Sequence, residues 1–240
     1  MIGKFLRFKF SIRNYYILLS IFIVGLFVYA TKINSLQPII IFLAFAITGV
    51  IGETFISFWW QMFFGQRFWV YNTETLYHKY TSILNFIPWG VGGYIYLIIA
   101  KQINIEFQFA SLYILFFLLY PVLIIFQKLI FNFFKPSHHF KFHSVNLLNL
   151  FIFYLPILLI ISLATVLHGW GILILFLEFG IVATTTEYLF GKACQSIISK
   201  KLWTYTYLPF DQGHFTPLSF IFFAFGGFYF LMVAQYLGFF

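Results

Sequence analysis

Acidic side chains are few in this sequence, so each can be considered by itself. The 240 residues include six Asp and Glu residues and 14 Lys and Arg residues. Glu178 lies nine residues into the apolar stretch 169–190, which places it roughly 13 Å along a helix. A carboxyl group in the middle of a membrane helix is costly and usually faces the bundle interior and a partner. The position predicts a proton-coupling or substrate-binding acid, or else a protonated glutamate that hydrogen-bonds to a neighbouring helix.

Glu53 and Glu187 form a symmetric pair of acidic residues. Each lies sixteen residues before a Trp-x-Tyr tripeptide, and basic residues precede both tripeptides. Trp and Tyr beside cations are typical of the membrane interface, and their repetition after a Glu also suggests that they close a shared pocket facing the cytoplasm. The two glutamates have either a structural role between the halves of the chain or a role in a site. The four aromatic residues of the tripeptides are Trp69, Tyr71, Trp203 and Tyr205.

Asp211 and His214 lie just before the last apolar stretch. Together with Glu53 and Glu187 they are the candidates for acid–base catalysis, because carboxyl and imidazole groups are the usual proton donors and acceptors in enzymes. Asn85 holds the place of His214 in the first half of the chain.

A histidine run occupies the basic segment before residue 145. His139 and His143 are spaced i, i+4, as metal ligands on one helix face are, and His138 adjoins them. No carboxylate or cysteine is near this run in the sequence. The pattern therefore favours a solvated basic loop, and we expect neither a metal site nor a cofactor.

Several function classes are excluded by absent motifs. The single Cys194 allows no internal disulfide and no thiolate metal cage. The sequence contains no Gly-rich loop ending in Lys-Ser/Thr and no Gly-x-Ser-x-Gly, so it encodes neither an ATPase by itself nor a hydrolase nucleophile elbow. The net charge of +8 comes from short basic runs between apolar stretches, a pattern that sets membrane topology rather than binding nucleic acid.

The composition requires lipid as the solvent for most of the chain. Hydrophobic residues make up 62% and charged residues 8% of it, and the mean hydropathy is +0.94. Because soluble domains carry roughly 25% charged residues, this chain lacks the polar material for a water-facing surface. A helical span needs ~20 apolar residues, which predicts an all-α polytopic protein with seven transmembrane helices. The predicted spans are 15–31, 38–60, 82–100, 107–126, 145–167, 169–190 and 217–240.

The basic residues predict the orientation of these spans. With the N-terminus inside, twelve Lys and Arg residues lie on the inner side, and the other two, Lys32 and Lys101, lie on the outer side. The positive-inside rule then places the N-terminus in the cytoplasm and the C-terminus outside, in a multi-pass protein of the plasma membrane. A cleaved signal peptide over residues 1–30 is the alternative, but no small-residue cleavage pattern follows the apolar run.

The chain also resembles itself. Residues 40–71 align without a gap to residues 174–205, and the matches include Glu53 with Glu187 as well as both Trp-x-Tyr tripeptides. A five-residue shift then aligns 86–88 with 215–217. Because the matching spans run in the same direction, the pattern predicts two parallel three-helix repeats joined by a linker helix. The repeats cover residues 1–106 and 145–240, and the linker helix with its basic loop covers 107–144.

Two family resemblances follow from local motifs. The segment from Thr186 to Tyr205, continued by 208–213, resembles putative type IV ABC-transporter membrane proteins, with Thr204 and Asp211 where that family has Asp and Asn. The segment 68–74 with Ile87-Pro88-Trp89 resembles the small membrane carotenoid cyclases and hydratases. The cyclases carry Pro-Leu-Glu-Glu at the later point, where this chain has Pro88-Trp89-Gly90-Val91, so the catalytic acids of the cyclases are absent there.

Three functions are compatible with these features. The first is a transporter or permease-like protein for a small or lipophilic solute, in which Glu178 and the four tripeptide aromatics contact the substrate or the coupling ion. The second is a membrane-embedded enzyme acting on an isoprenoid, carotenoid or lipid. The third is a non-catalytic accessory subunit. The expected partners are the lipid bilayer, a small-molecule or lipid substrate, and a second copy of the chain or a partner ATPase, but no nucleic acid.

Overall fold

The computed structural model describes residues 12–76, 78–103, 109–134, 146–198 and 201–239. These described residues form seven long helices with short strands between some of them. The helices are α1 (Ile12–Lys32), α2 (Gln37–Phe64), α3 (Phe86–Ile103), α4 (Phe109–Tyr113, π-helical Ile114–Leu119 and Tyr120–Phe134), α5 (Leu147–His168), α6 (Gly171–Ile198) and α7 (Ser219–Tyr236).

The helices have the length and composition of a multi-pass membrane protein. Six of them, α2 to α7, are long and apolar enough to cross a bilayer, and the apolar part of α1 is the shorter Leu19–Lys32. Each helix overlaps one of the seven predicted ranges. Because lipid offers no hydrogen-bond partners, the helical form satisfies the backbone groups within each segment.

Two prolines interrupt the helical hydrogen bonding, and side chains compensate for the missing bonds. Pro121 follows the π-helical turn of α4, and the hydroxyl of Tyr229 donates to the carbonyl of Phe116, five residues before that proline, at 2.8 Å. Pro156 lies inside α5, and the side-chain amide of Gln127 donates to the carbonyl of Ile152, four residues earlier. Since proline has no N–H group, these carbonyls would otherwise have no partner in lipid.

Helix pairs α2–α3 and α6–α7 pack through glycines. A Cβ atom at Gly93 would lie 2.2 Å from the ring of Phe45, and one at Gly227 would lie 2.3 Å from the ring of Phe179. The two glycines are 134 positions apart, and so are the two phenylalanines. The same close contact, which a larger residue would prevent, therefore joins both helix pairs.

Hydrogen bonds between the helices and the connecting segments also occur at matching positions that are 134 residues apart. The hydroxyl of Tyr80 donates to the side chain of Gln61 at 2.5 Å, and the ring of His214 hydrogen-bonds to the side chain of Gln195. At this spacing His214 matches Tyr80, whereas the predicted five-residue shift matches it with Asn85. The segments from β1 (Trp69–Tyr71) to α3 and from β4 (Trp203–Tyr205) to α7 differ in length by one residue rather than five.

The two Trp-x-Tyr tripeptides form strands that pair with each other. Strand β1 (Trp69–Tyr71) runs antiparallel to β4 (Trp203–Tyr205), and Val70 lies opposite Thr204. Each Trp therefore faces the Tyr of the other strand, with ring centroids 6.0 and 6.1 Å apart. The register is symmetric about the pair formed by Val70 and Thr204. A second hairpin joins β2 (Thr75–Leu76) to β3 (Thr81–Ser82).

Aromatic side chains fill the centre of the bundle. Trp59 of α2 stacks on Phe153 of α5 with centroids 4.3 Å apart, and Phe222 of α7 contacts both rings. Offset and edge-to-face contacts of this kind add to the dispersion energy of a packed interior. The cluster leaves the other side of α2 and α3 for the cavity described next.

Candidate functional site

A cavity of about 660 Å³ lies beside the paired strands, between helices of both halves of the chain. Most of its lining is apolar, and its polar side chains are those of Glu53, Tyr71, Asn85, Thr186 and Glu187. The larger apolar and aromatic residues of the lining include Phe22, Leu84, Trp89, Tyr96, Phe190, Trp203 and Phe223. Its size and composition are those of sites that bind small organic molecules.

Part of the cavity lining belongs to exposed residues. Two of its lining residues, Ile21 of α1 and Val91 of α3, are 62% and 39% exposed. Both belong to apolar helices. In a bilayer these two side chains would contact lipid.

Glu53 is bonded through both of its carboxyl oxygens. The hydroxyl of Tyr71 donates to Oε1 and that of Thr81 donates to Oε2, each at 2.5 Å. The side-chain amide of Asn85 donates to both oxygens, at 2.9 and 3.1 Å. Glu53 is buried, and a buried carboxyl group with this many donors is fully satisfied.

Glu187 has the same tyrosine partner but one free oxygen. The hydroxyl of Tyr205 donates to Oε1 at 2.5 Å, matching the bond between Tyr71 and Glu53. The other oxygen, Oε2, is shielded from solvent and has no hydrogen-bond partner in the part of the chain that the structure describes. Such a group costs free energy until something pairs with it.

The residues 134 positions further along explain this difference. Phe215 stands where Thr81 stands in the first half, and it offers no hydroxyl to the carboxyl group. Ser219 stands in the place of Asn85, and its hydroxyl donates to the carbonyl of Thr216 at 2.8 Å. The second half therefore lacks the donors that occupy both oxygens of Glu53.

The tryptophans of the two strands differ in the same way. The indole Nε1 of Trp69 donates to the carbonyl of Tyr80 at 2.8 Å. The indole Nε1 of Trp203 is buried and has no partner among the described residues. Trp203 and Glu187 are both lining residues of the cavity, and each carries one such buried, unpaired polar atom.

The two tyrosines of the strands are proton donors to the glutamates. Burial and the adjacent Glu53 hold the pKa of Tyr71 well above its usual range, and burial and Glu187 do the same for the pKa of Tyr205. Each phenol therefore keeps its proton and holds its carboxyl group in place. Tyr71 lines the cavity together with Trp203, whereas Trp69 and Tyr205 lie outside the lining.

Asp211 and His214 lie outside the cavity lining. Asp211 forms an ion pair of 2.8 Å with Lys192 and accepts a hydrogen bond of 2.8 Å from Tyr188, and these contacts lower the pKa of Asp211. His214 is buried beside Gly191 and bonded to Gln195, and burial lowers the pKa of His214 below its usual range. The two residues belong to a polar cluster next to the site rather than to the cavity.

The remaining sequence candidates are placed elsewhere. Glu178 is exposed on the surface of α6 and does not line the cavity, so the expectation that its carboxyl group faces the bundle interior is wrong. His138, His139 and His143 lie outside the described residues. Within the described ranges, no group of three or more His, Cys, Asp or Glu side chains could hold a metal ion.

Sequence reasoning missed the residues that distinguish the two glutamates. The ungapped alignment of the two halves ends at residue 71, and Thr81 is matched with Phe215 only if that alignment is continued without a gap. Continuing the spacing of 134 also pairs Gly92-Gly93 with Gly226-Gly227, a signal that was present in the sequence.

Comparisons with known proteins give no match: no family model, curated protein or solved structure is similar to this chain.

Proposed function

We propose that this protein takes an apolar lipid from the bilayer into its cavity and that Glu187 exchanges a proton with it. The observation that carries the proposal is that Glu187, which lines an apolar cavity, has an Oε2 with no partner among the described residues, whereas both oxygens of Glu53 accept hydrogen bonds. The protein would then be a membrane-embedded acid–base enzyme.

The walls and the exposed lining residues of the cavity support a lipophilic substrate. Apolar and aromatic side chains form most of the wall, and the exposed Ile21 and Val91 belong to apolar helices. A water-soluble solute would have to leave water to enter between these helices, whereas a lipid would reach them by lateral diffusion. The resemblance to carotenoid cyclases and hydratases suggests an isoprenoid chain as one such substrate.

The two glutamates would have different roles in this proposal. Glu53 joins α2 to β1, β3 and the start of α3 through its hydrogen bonds, which is a structural role. Glu187 is held through Oε1 by Tyr205, and its Oε2, which has no partner among the described residues, would bond to the ligand. A carboxyl group positioned in this way can donate a proton to a substrate carbon or oxygen and take one back, which typically accelerates a reaction by 10²–10⁴-fold.

Lipid profiles of cells test the proposal. Extracts of cells that express the protein should contain at least one lipid that is absent from cells without the gene. Glu187→Gln should abolish that product while the protein is still present in the membrane at a normal level. Identical profiles with and without the gene, or an unchanged product with Glu187→Gln, would refute the enzymatic role.

Transport of a lipophilic solute is the second candidate function. It is favoured by the position of the cavity between α2–α3 and α6–α7, because transporters built from repeats bind their substrates at the interface between the repeats. A flux assay in proteoliposomes with an apolar fluorescent probe tests it. Flux that depends on Glu187, without any chemical change in the probe, would support transport, and unchanged flux with Glu178→Gln would remove the coupling role predicted for Glu178.

We propose further that the chain spans the membrane seven times as two parallel three-helix repeats joined by α4, with the N-terminus in the cytoplasm. The paired strands and the contacts repeated at a spacing of 134 support the repeats. Single cysteines at Thr31 and Thr75 in a Cys194→Ala background test the orientation. An impermeant maleimide should label the first position and not the second in intact cells; the opposite pattern would invert the proposed topology.

A further inference from the structure

We infer that this protein forms a symmetric dimer in the membrane, in which one exposed face of α6 contacts the same face of a second copy and the two Glu178 side chains pair with each other. The interface is separate from the cavity, so this inference goes beyond the proposed function.

The exposed α6 face consists of Ile174, Glu178, Ile181 and Thr185. All four side chains are exposed, the two isoleucines by 48% and 58%, and none of the four lines the cavity. They are separated by four, three and four residues, which is the spacing of the contact line between two helices in a left-handed pair. One neighbouring helix can therefore cover all four side chains at once.

Glu178 is costly on a face that contacts lipid. It follows Gly171 by seven residues, about 10 Å along α6, in the part of the helix that is apolar enough to span a membrane. Neither Glu178 nor Thr185 has a hydrogen-bond partner in the described part of the chain. Lipid tails offer a carboxyl group no such partner, and acidic residues within spans accordingly pair with other polar groups. We therefore expect a protein surface with polar groups to cover this face.

The first half of the chain carries the same face without the polar groups. At the spacing of 134, the counterparts in α2 are Ile40, Ala44, Ile47 and Ile51. The three isoleucines are 48%, 52% and 62% exposed in chain order, and this wholly apolar face suits contact with lipid. Two of the four positions are identical in both halves, whereas Glu178 replaces an alanine and Thr185 replaces an isoleucine. The fold of one half therefore does not require these two polar side chains.

A second copy of the chain supplies the partners that both side chains need. Copies inserted in the same orientation have parallel α6 helices, and a two-fold axis along the membrane normal then places each residue opposite itself at the same depth. A protonated carboxyl group both donates and accepts, and so does a hydroxyl group. Two Glu178 side chains thus satisfy each other, and so do two Thr185 side chains. A different partner would have to offer polar groups at both depths.

The next residue at the same spacing, Lys192, is compatible with this arrangement. It follows Thr185 by seven residues, so the two lysines of a dimer would lie on the same side of the interface. Each is paired with Asp211 of its own chain at 2.8 Å and is partly exposed to solvent. The ion pair and the solvent screening limit the repulsion between the two lysines.

Cysteine cross-linking of the full chain in membranes tests the interface. Ile181→Cys in a Cys194→Ala background places a thiol between Glu178 and Thr185. The matched control, Ile47→Cys, places one at the equivalent and similarly exposed position of α2. After oxidation with copper phenanthroline, Ile181→Cys should give a disulfide-linked species of twice the monomer mass, at several times the yield of the control. Equal yields at the two positions, or a cross-link to a protein of another mass, would overturn the inference.

Energy transfer between labelled copies in liposomes, at decreasing protein-to-lipid ratios, tests the role of the polar pairs. The double variant Glu178→Ala with Thr185→Ile gives α6 the residues of the α2 face. It should raise the dissociation constant of the dimer about tenfold, because the hydrogen bonds between the helices are lost. Glu178→Gln should stay within about threefold of the unmodified protein, since its amide group also donates and accepts. An unchanged dissociation constant in the double variant, or a Glu178→Gln dimer as weak as that variant, would contradict the pairing.

Discussion

The two glutamates are predicted to differ sharply in their contribution to stability. Glu53 accepts four hydrogen bonds, from Tyr71, Thr81 and twice from Asn85. In Glu53→Gln, whichever oxygen becomes the amide nitrogen, one hydroxyl donor, that of Tyr71 or that of Thr81, loses its acceptor, and Asn85 keeps only one of its two bonds. An unpaired buried donor costs about 1–3 kcal/mol and a lost hydrogen bond about 0.5–1.5 kcal/mol, so the expected loss is on the order of 2–3 kcal/mol.

Glu187→Gln should cost much less. Its Oε1 can keep the bond from Tyr205, and the new amide group replaces an oxygen that already had no partner. We expect a loss of about 0–1 kcal/mol. For a chain of this length, 1 kcal/mol corresponds to roughly 2–4 °C in the unfolding temperature. Glu53→Gln should therefore unfold about 4–8 °C below Glu187→Gln.

Thermal unfolding of the purified variants in one detergent and at one lipid concentration measures this difference. The variants should be compared with the unmodified protein at neutral pH. If both variants lose the same stability, or if Glu187→Gln loses more, then Oε2 of Glu187 has a partner within the protein. That result would remove the asymmetry on which the proposed function depends.

Four further variants test the packing and the charges around the site. Gly227→Ala places a Cβ atom 2.3 Å from a Phe179 ring atom and should cost about 1–3 kcal/mol, whereas Gly226→Ala, with no atom within 4 Å, should cost little; unfolding temperatures measure both. Burial lowers the pKa of His214, so as the pH falls this histidine is protonated in the unfolded state before it is protonated in the folded state. The free energy of unfolding should therefore fall as the pH drops below about 6.5. His214→Gln should flatten that pH dependence of unfolding, and an unchanged slope would assign it to another group. Asp211→Asn, at the exposed pair with Lys192, should change the unfolding temperature by little in any buffer, because exposed pairs contribute little.

The positions of the helices followed directly from the sequence. A chain with 8% charged residues and seven apolar stretches has few alternatives to a helical bundle in lipid, because each segment must satisfy its own backbone. The predicted ranges consequently overlap the helices α1 to α7. The ends differ, as for α2, which continues to Phe64 rather than ending at residue 60.

The sequence predicted only part of the role of the Trp-x-Tyr tripeptides. Their repetition indicated a shared function, but aromatic residues beside cations equally predicted anchors at the membrane interface. All four side chains are buried, and the tripeptides pair as strands. Local composition cannot reveal such pairing, because the two partners are 134 residues apart in the chain.

The prediction for Glu178 shows the opposite limitation. Depth along a helix can be counted from the sequence, and it placed this carboxyl group near the middle of the predicted span 169–190, although α6 continues to Ile198. The direction in which the side chain points depends on which helices pack against α6, and the structure places Glu178 on the exposed side. Helix α6 carries little periodic signal that separates its buried face from its lipid-facing face, because apolar residues cover both.

The sequence by itself therefore determined the membrane class, the helix positions and the symmetric pair of Glu53 and Glu187. Only the tertiary structure decided that the two are unequal. The carboxyl group of Glu53 meets Thr81 and Asn85, which come from a different segment of the chain, while the counterparts of these residues leave Oε2 of Glu187 free. Whether a buried polar atom has a partner depends on distances of a few tenths of an ångström between such segments, and those distances exist only once the helices have packed.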